Sequence, residues 1–247
     1  MSAMFTITIN ARALKAAAMC ASSEETRYYL KGVFVEAPLS GDIILTATDG
    51  HRLVAMRHDP APNLQHDAGA WSVIVPLHMI DKLKIGKRAP DYATLGMTYS
   101  EEAKAIKLTL SYDGLSIAGV AVDGTYPAAR RVAAPAFNSP DAGKPANFNP
   151  AYVAAFGKMA ELMTGSKPKA IYIGNNGDNP ALVDFLGDHD AGGVEAFGVL
   201  MPCRLKDDTG RASRYEGSSV PAWYDPNPVP APAAAGAVDG DDSAEAA

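Results

Sequence analysis

The sequence predicts an α+β fold made of a repeated strand–helix–strand–strand–strand unit. Three observations predict it. A short alternating segment runs directly into a helical pattern three times, the helix starts fall near 11, 76 and 150, and three further alternating segments follow each helix. The spacing between helix starts is roughly 65–75 residues, about the length of one such unit.

The first unit opens with a strand at Phe5–Ile9. Asn10 then stands where a side-chain N-cap is needed, before a helix over Ala11–Ala21 with Leu14, Ala17, Ala18 and Met19 on its apolar side. The second opens with Trp71–Val75, and Pro76 starts a helix bearing Leu77, Ile80 and Leu83. The third opens with Asn147–Asn149, and Pro150 starts a helix bearing Val153, Phe156, Met159, Ala160 and Met163. Each helix is expected to run for about ten to fifteen residues.

Strands are expected at Leu30–Glu36, Ile43–Ala47 and Leu53–Arg57 in the first unit. The second unit supplies Thr94–Tyr99, Ile106–Ser111 and Leu115–Val122, with Asp113-Gly114 as a hairpin signal. The third supplies Ala170–Gly174, Ala181–Phe185 and Ala196–Met201. Two units would close one domain over 1–135, with both helices on one side of the strands. After a linker at 136–146, the third would form a half domain over 147–205.

From Lys206 onward the hydrophobic periodicity stops. The segment 206–247 turns polar, then Pro/Ala-rich, then acidic, and is expected to be largely disordered; the aromatic stretch at Val220-Pro221-Ala222-Trp223-Tyr224 reads as an incidental patch, with docking on another surface as the alternative. It carries three basic and eight acidic residues, so the net charge of −6 sits mostly there and the body is near neutral. Clustering on one face, and not total charge, therefore decides what the body binds.

No apolar run approaches the roughly 18–20 residues needed to cross a bilayer, and Met1–Phe5 has no basic segment or long apolar stretch of a signal peptide. Cys20 and Cys203 are far apart and are expected to be free thiols. A cytoplasmic protein with no membrane association is the expectation.

Five segments in order carry a family resemblance. They are Arg27-Tyr28-Tyr29-Leu30-Lys31-Gly32-Val33; Ala47-Thr48-Asp49-Gly50-His51-Arg52-Leu53; Ser72-Val73-Ile74-Val75-Pro76; Val122-Asp123-Gly124-Thr125-Tyr126-Pro127 with Arg130-Arg131-Val132; and Val199-Leu200-Met201-Pro202-Cys203-Arg204-Leu205. Together they resemble the bacterial DNA polymerase III beta subunit, the sliding clamp. The match covers about Phe5–Val132 as a middle clamp domain and Phe148–Leu205 as the second half of a last one. A first domain has no counterpart, and only Ala133–Ala146 stands where the last domain's first half would be. The resemblance implies the DNA clamp (processivity-factor) fold in a reduced form, as in a phage or mobile element.

It also implies a cleft for short linear motifs of replication or repair proteins. The matching positions are Leu30, Thr48, Gly50, His51, Arg52, Leu53, Pro127, Arg131, Val132, Val199, Leu200, Met201, Pro202, Arg204 and Leu205. Leu30, Leu53, Val132, Val199 and Leu200 would wall an apolar slot that Met201 adapts, with Arg52, Arg131 and Arg204 at its edge. The plainer alternative makes Thr48–Leu53 an ordinary turn and Val199–Leu205 a terminal core strand.

Clamp helices meet duplex DNA through sequence-independent phosphate contacts. The candidates here are Arg12, Lys15, Tyr28, Tyr29, Lys82, Lys84, Lys87 and Arg88, with Lys158, Lys167 and Lys169 beyond the third helix. Glu24 and Glu25 oppose this in the same loop, and a basic helix face is also what an ordinary solvated surface looks like.

No catalytic residue, metal or cofactor is expected. His51, His58, His66, His78 and His189 have no ligand spacing, and nucleophile, phosphate-loop and paired-carboxylate patterns are missing from the sequence. A non-enzymatic scaffold on DNA is the favoured reading. A monomeric decoy or adaptor that sequesters clamp-binding peptides without encircling DNA is the alternative. Three units per chain suggest a homo-oligomer. Four protomers would supply twelve units if the unpaired third unit met its own copy across a two-fold axis.

Overall fold

In a strand, side chains alternate between faces, so a segment that is apolar at every second position buries one face. Two sheets are built this way. The computed structural model describes residues 4–38, 41–59, 71–86, 91–187 and 191–203, all within one compact unit, Met1–Asp208. The expected tail, the Val220–Tyr224 stretch, Lys87, Arg88, Arg204, Leu205, His66 and His189 lie outside the described residues.

The first unit is β1 (Met4–Asn10), α1 (Ala11–Ala18), a 3₁₀ segment at Glu25–Leu30, β2 (Gly32–Ala37), β3 (Ile43–Thr48) and β4 (Arg52–His58). The second is β5 (Trp71–Pro76), α2 (Leu77–Ile80), β6 (Tyr92–Ser100), β7 (Ala105–Tyr112) and β8 (Leu115–Val120). Then come α3 (Ala129–Phe137), α4 (Pro150–Thr164), β9 (Tyr172–Ile173), β10 (Ala181–Asp184) and β11 (Val194–Leu200).

The first two units exchange their opening strands. β1 pairs antiparallel with β6, and β5 pairs antiparallel with β2. The sheets that result run β1-β6-β7-β8 and β5-β2-β3-β4-β11-β10-β9. Neither unit can complete its sheet without the other. One core then joins the inner faces of both sheets to the helices: Ile7, Ile9, Leu95, Leu108 and Leu110 from one, Val33, Val35, Ile43, Leu45 and Val54 from the other, and Leu14, Met79, Ile80 and Phe156 between.

Local signals place the elements. Asn10 caps α1 by accepting from the Ala13 N–H at 2.9 Å, and Asn149 caps α4 by accepting from the Ala151 N–H at 2.9 Å. Asp113 and Gly114 both hold positive φ between the paired residues Tyr112 and Leu115, the backbone of a two-residue primed turn.

Five sequence expectations need correction. The first helix stops at Ala18, short of Ala21, and the second is one turn long, because Leu83 reaches the core from a turn and not from a continued helix. Residues 147–149 join neither sheet, so the third unit is α4 with β9, β10 and β11 only. Leu30 ends the 3₁₀ segment and is not the first residue of a strand. Helix α3, absent from the sequence reading, lies across the expected boundary at 135. On either side of that boundary, β4 and β11 pair over seven residues, from Arg52↔Leu200 to His58↔Val194.

Two details test the packing. Gly198 in β11 lies under the Phe156 ring, and a Cβ there would overlap it. The backbone N–H of Asn10 donates to Nε2 of His58 at 3.2 Å, while Nδ1 of the same ring lies 2.9 Å from the Asp59 carbonyl and donates to it. His58 thus ties β1 to β4 as a neutral imidazole, and its burial lowers its pKa from the usual value. Cys20 is buried and unpaired, with burial pushing its thiol up to about 12, whereas Cys203 is exposed.

Gly198→Ala is expected to cost about 1–3 kcal/mol of stability, read from the urea midpoint, because an added methyl overpacks a filled site. A pH prediction follows from His58. Its folded pKa lies below the unfolded one, so the stabilisation is complete above the unfolded value of about 6.5 and drains away as pH falls toward the folded value. The urea midpoint of the wild type should fall between pH 7.5 and 5 more steeply than that of His58→Gln; parallel curves would remove His58 as the cause.

Candidate functional site

The outer face of the seven-stranded sheet departs from the polar pattern of a solvated face. Strand register sets its side chains in rows. Phe34, Thr46, Ala55 and Phe197 form one row across β2, β3, β4 and β11. Glu36, Ile44, Arg57 and Glu195 form the next, and Thr48, Leu53 and Val199 a third on the other side.

Helix α3 crosses this face through three alanines, Ala129, Ala133 and Ala136, spaced to share one side of a helix. Ala133 packs with Leu53 and Val199 in a small apolar cluster. Tyr126, just before the helix, stacks flat on Phe34, with ring centroids 4.8 Å apart and planes 2° from parallel. Burial pushes its phenol well above the usual range, so the stack is uncharged. Phe137 closes the far end against Phe197, edge to face at 5.0 Å.

Between helix and sheet lies a cleft of about 710 Å³. Leu53, Ala55, Phe34, Ile44 and Phe197 floor it, Pro127, Ala129 and Ala133 wall it, and four charges rim it. Both guanidiniums of the rim are paired: Arg130 with Glu36 by two bonds of 3.2 Å, and Arg57 with Glu195 at 2.6 Å and Asp42 at 3.2 Å. The cleft is apolar inside and carries balanced charge at its edge. It suits an extended segment with large apolar side chains and polar flanks.

The positions assigned to this cleft from sequence divide between two faces. Leu53 and Pro127 line it, Val199 and Thr48 lie in the adjoining row, and Leu30 packs behind Tyr126. Leu200 is fully buried in the main core on the opposite face. Arg52 also points to that side: its guanidinium carbon lies 4.9 Å from the Tyr152 ring of α4, and His51 stacks on the same ring at 5.9 Å. These two corrections have one cause, because neighbouring residues of a strand cannot face the same way.

Arg131 and Val132 are exposed away from the alanine stripe, so neither lines the cleft. Met201 donates its N–H to the His51 carbonyl at 2.8 Å, and the half-buried Pro202 follows it. The guanidiniums that do reach the cleft are Arg130 and Arg57. Sequence reasoning missed them, together with Phe34, Tyr126 and Phe197. The alternating residues of β2, β4 and β11 carried that signal.

The turn before β4 explains the Thr48–Arg52 motif. The Asp49 carboxylate accepts from the His51 and Arg52 N–H groups at 2.9 and 3.0 Å and from Arg52 Nε at 2.9 Å. Gly50 holds φ +90°, and a side chain there would also press on Arg27 Nη1. This turn sets the register that brings Leu53 and Ala55 to the cleft.

The basic positions are arranged differently. Arg12 Nη2 donates to the Gly86 carbonyl at 2.9 Å, Nη1 to the Leu162 carbonyl at 3.4 Å, and Nε to Asp91 at 3.4 Å. Lys15 donates to the Ile80 and Asp81 carbonyls at 3.2 and 3.1 Å. Lys82, Lys84 and Tyr28 are exposed, and Tyr29 is half-buried against Tyr28 and beside Gly124. Among the described residues no cluster of three or more His, Cys, Asp or Glu is placed to hold a metal ion, and no helix is long and apolar enough to cross a membrane.

Comparison with known proteins is consistent with this geometry. Residues 8–128 match the family described as DNA polymerase III beta subunit, central domain. The beta sliding clamp of Caulobacter vibrioides (strain NA1000 / CB15N) is 33% identical over 114 residues, which are 45% of this chain and 28% of that protein. The crystal structure of the DNA polymerase sliding clamp from Caulobacter crescentus is similar with a TM-score of 0.56 at 20% identity, covering 83% of this chain and 68% of that one. That from Bacillus subtilis gives 0.56 at 15% identity, covering 81% and 64%. The chain therefore spans just over a quarter of the curated relative and somewhat under two thirds of the Bacillus clamp. Residues 8–128 are similar to the central domain of the DNA polymerase III beta subunit, and the chain has the fold of a DNA sliding clamp.

Proposed function

We propose that this chain is a reduced sliding clamp, a non-catalytic scaffold of DNA replication or repair that receives short peptide motifs of partner proteins in the cleft under α3. The cleft itself carries the reading. It is made jointly by strands of the 8–128 segment and by β11, and its apolar floor has no use in a sheet facing only water. Leucine or phenylalanine side chains of a partner would enter over Leu53, Ala55 and Phe197, with Arg130 and Arg57 at hand for carboxylates on the flanks. In this reading 1–135 is a full clamp domain, and 147–205 is a half domain joined to it through β4 and β11.

Duplex DNA is the second partner proposed, met by Lys82 and Lys84 beside α2. A specific observation favours the decoy or adaptor reading over this one. Arg12 and Lys15, the two cations of α1, spend their donors on carbonyls and acids of the same chain, and their side chains are 14% and 24% exposed. Phosphates would have to displace those bonds.

The cleft is tested by titrating a fluorescent clamp-binding peptide. Ala55→Phe fills the floor and should weaken binding at least tenfold with the melting midpoint retained, while Arg131→Ala should leave affinity unchanged. Wild-type affinity in Ala55→Phe would end the assignment. The DNA question is separate. Fluorescence anisotropy of a labelled duplex should show affinity falling with salt, and Lys82→Glu/Lys84→Glu should reduce the logarithmic slope by about two. No salt-dependent DNA binding in the wild type would decide for the decoy.

A further inference from the structure

Helix α3 crosses the outer face of the seven-stranded sheet from β2, where Tyr126 stacks on Phe34, to β11, where Phe137 packs on Phe197. The cleft follows the flank of that helix and so runs across the strands. The sheet does not end at β11. Leu182 of β10 stands opposite Val199, and Asp184, two residues on and hence on the same face, stands opposite Tyr172 of β9. Past the end of α3 this face dips into a second concavity of about 590 Å³, with Phe137, Leu182, Asp184, Leu186, Glu195 and Phe197 in its lining. Glu195, Ala196 and Phe197 line both hollows, which makes them neighbouring parts of one groove.

We propose that a segment received by the cleft continues across β11 and places a cationic side chain, arginine or lysine, in this second concavity against the Asp184 carboxylate. This subsite presupposes the peptide reading of the cleft, and it adds a charge to the motif that the cleft accepts.

The two hollows differ in charge. At the rim of the cleft each guanidinium is matched, Arg130 by Glu36 and Arg57 by Glu195 and Asp42. The second concavity contributes only acids, and of these Glu195 already holds Arg57. Asp184 is exposed, and its Oδ1 accepts from the Gly187 N–H at 2.8 Å. No cation among the described residues forms an ion pair with it. Around this carboxylate the walls are apolar: Leu186 is buried, Leu182 half-buried, and Phe137 exposed. An acid at the end of an apolar trough matches a long aliphatic stem that ends in a positive charge. The Phe137 ring adds an aromatic surface of the kind cations favour. A third hollow on this face, with Tyr172, Asn175 and Asn176 in its lining, has no charged side chain among its described residues. The acid is therefore a property of the second hollow alone.

Strand register sets the spacing of the motif. Ala55 and Phe197 are paired across β4 and β11, and Asp184 belongs to the next strand. Neighbouring strands lie about 4.8 Å apart, so a side chain seated over Ala55 and one at Asp184 are separated by about 10 Å. An extended chain covers that distance in about three residues. The segment that fits has a large apolar residue with a cation about three positions away, at the end remote from Arg130.

Fluorescence anisotropy of labelled peptides with the full chain tests this. All the peptides carry the same leucine–phenylalanine pair. Arginine, its neutral isostere citrulline, or glutamate stands three residues from the phenylalanine, before the pair in one set and after it in the other. In one of the two sets the arginine peptide should bind about three- to fivefold tighter than the citrulline peptide at low salt, with glutamate weakest. That gap should close as salt rises. Asp184→Asn keeps an acceptor for the Gly187 N–H and removes the charge. It should abolish the preference while the citrulline-peptide affinity and the melting midpoint hold. Equal binding of the arginine and citrulline peptides in both sets, or a preference that survives in Asp184→Asn, overturns the subsite and leaves the cleft standing. Failure of every peptide to bind the wild type ends the cleft reading and the subsite with it.

Discussion

The ladder between β4 and β11 is the constraint on which the candidate site depends. Arg57 and Glu195 lie 138 residues apart in sequence, yet the ladder sets them side by side. Closing so long a loop costs entropy that grows only slowly with length, so a full ladder with good packing can offset it. Three contacts fasten it: Phe156 over Gly198, the Met201 N–H on the His51 carbonyl, and Arg57 on Glu195. Without that ladder, Leu53 would lose Val199 and Ala55 would lose Phe197. The floor of the cleft would be cut in half.

Much of the fold was legible because it depends on local chemistry. Strand alternation located most of the strands, Asn10 and Pro150 marked helix starts, and Asp113-Gly114 marked a hairpin. Helix α3 was not legible, since its buried stripe consists of alanines and it contains Pro135, which lacks the N–H a helix interior uses. The candidate site was half legible. Five motifs located the right stretches of chain, but assigning whole stretches to one cleft ignored the two-residue period of strands. Arg52 and Leu53, or Val199 and Leu200, necessarily face opposite ways.

The same distinction governs the basic residues. Arg12 and Lys15 share a helix side by their spacing, which sequence shows, but sequence does not show what covers that side. Ala11, Ala13, Leu14, Ala16 and Ala17 are all fully buried, so α1 is a core helix with two cations at its margin. A cation at such a margin is drawn to the carbonyls that end neighbouring elements, here Gly86, Ile80 and Leu162. Those bonds relieve the cost of partial burial and leave fewer donors for phosphate.

The two sheets offer an internal control for reading function from surface chemistry. Both bury one face in the same core, and their strands alternate alike, so any difference between their outer faces is not demanded by folding. In the four-stranded sheet one outer row reads Thr8, Thr94, Ser111 and Ser116, small hydroxyl side chains of which Thr94 and Ser116 are exposed and Thr8 is buried. The corresponding rows of the seven-stranded sheet contain Phe34, Ile44, Leu53 and Phe197, and α3 covers them only in part. Exposed apolar area of this kind weakens solubility and adds little to the core. The apolar floor under α3 is thus the observation that favours reading this face as a surface for a partner.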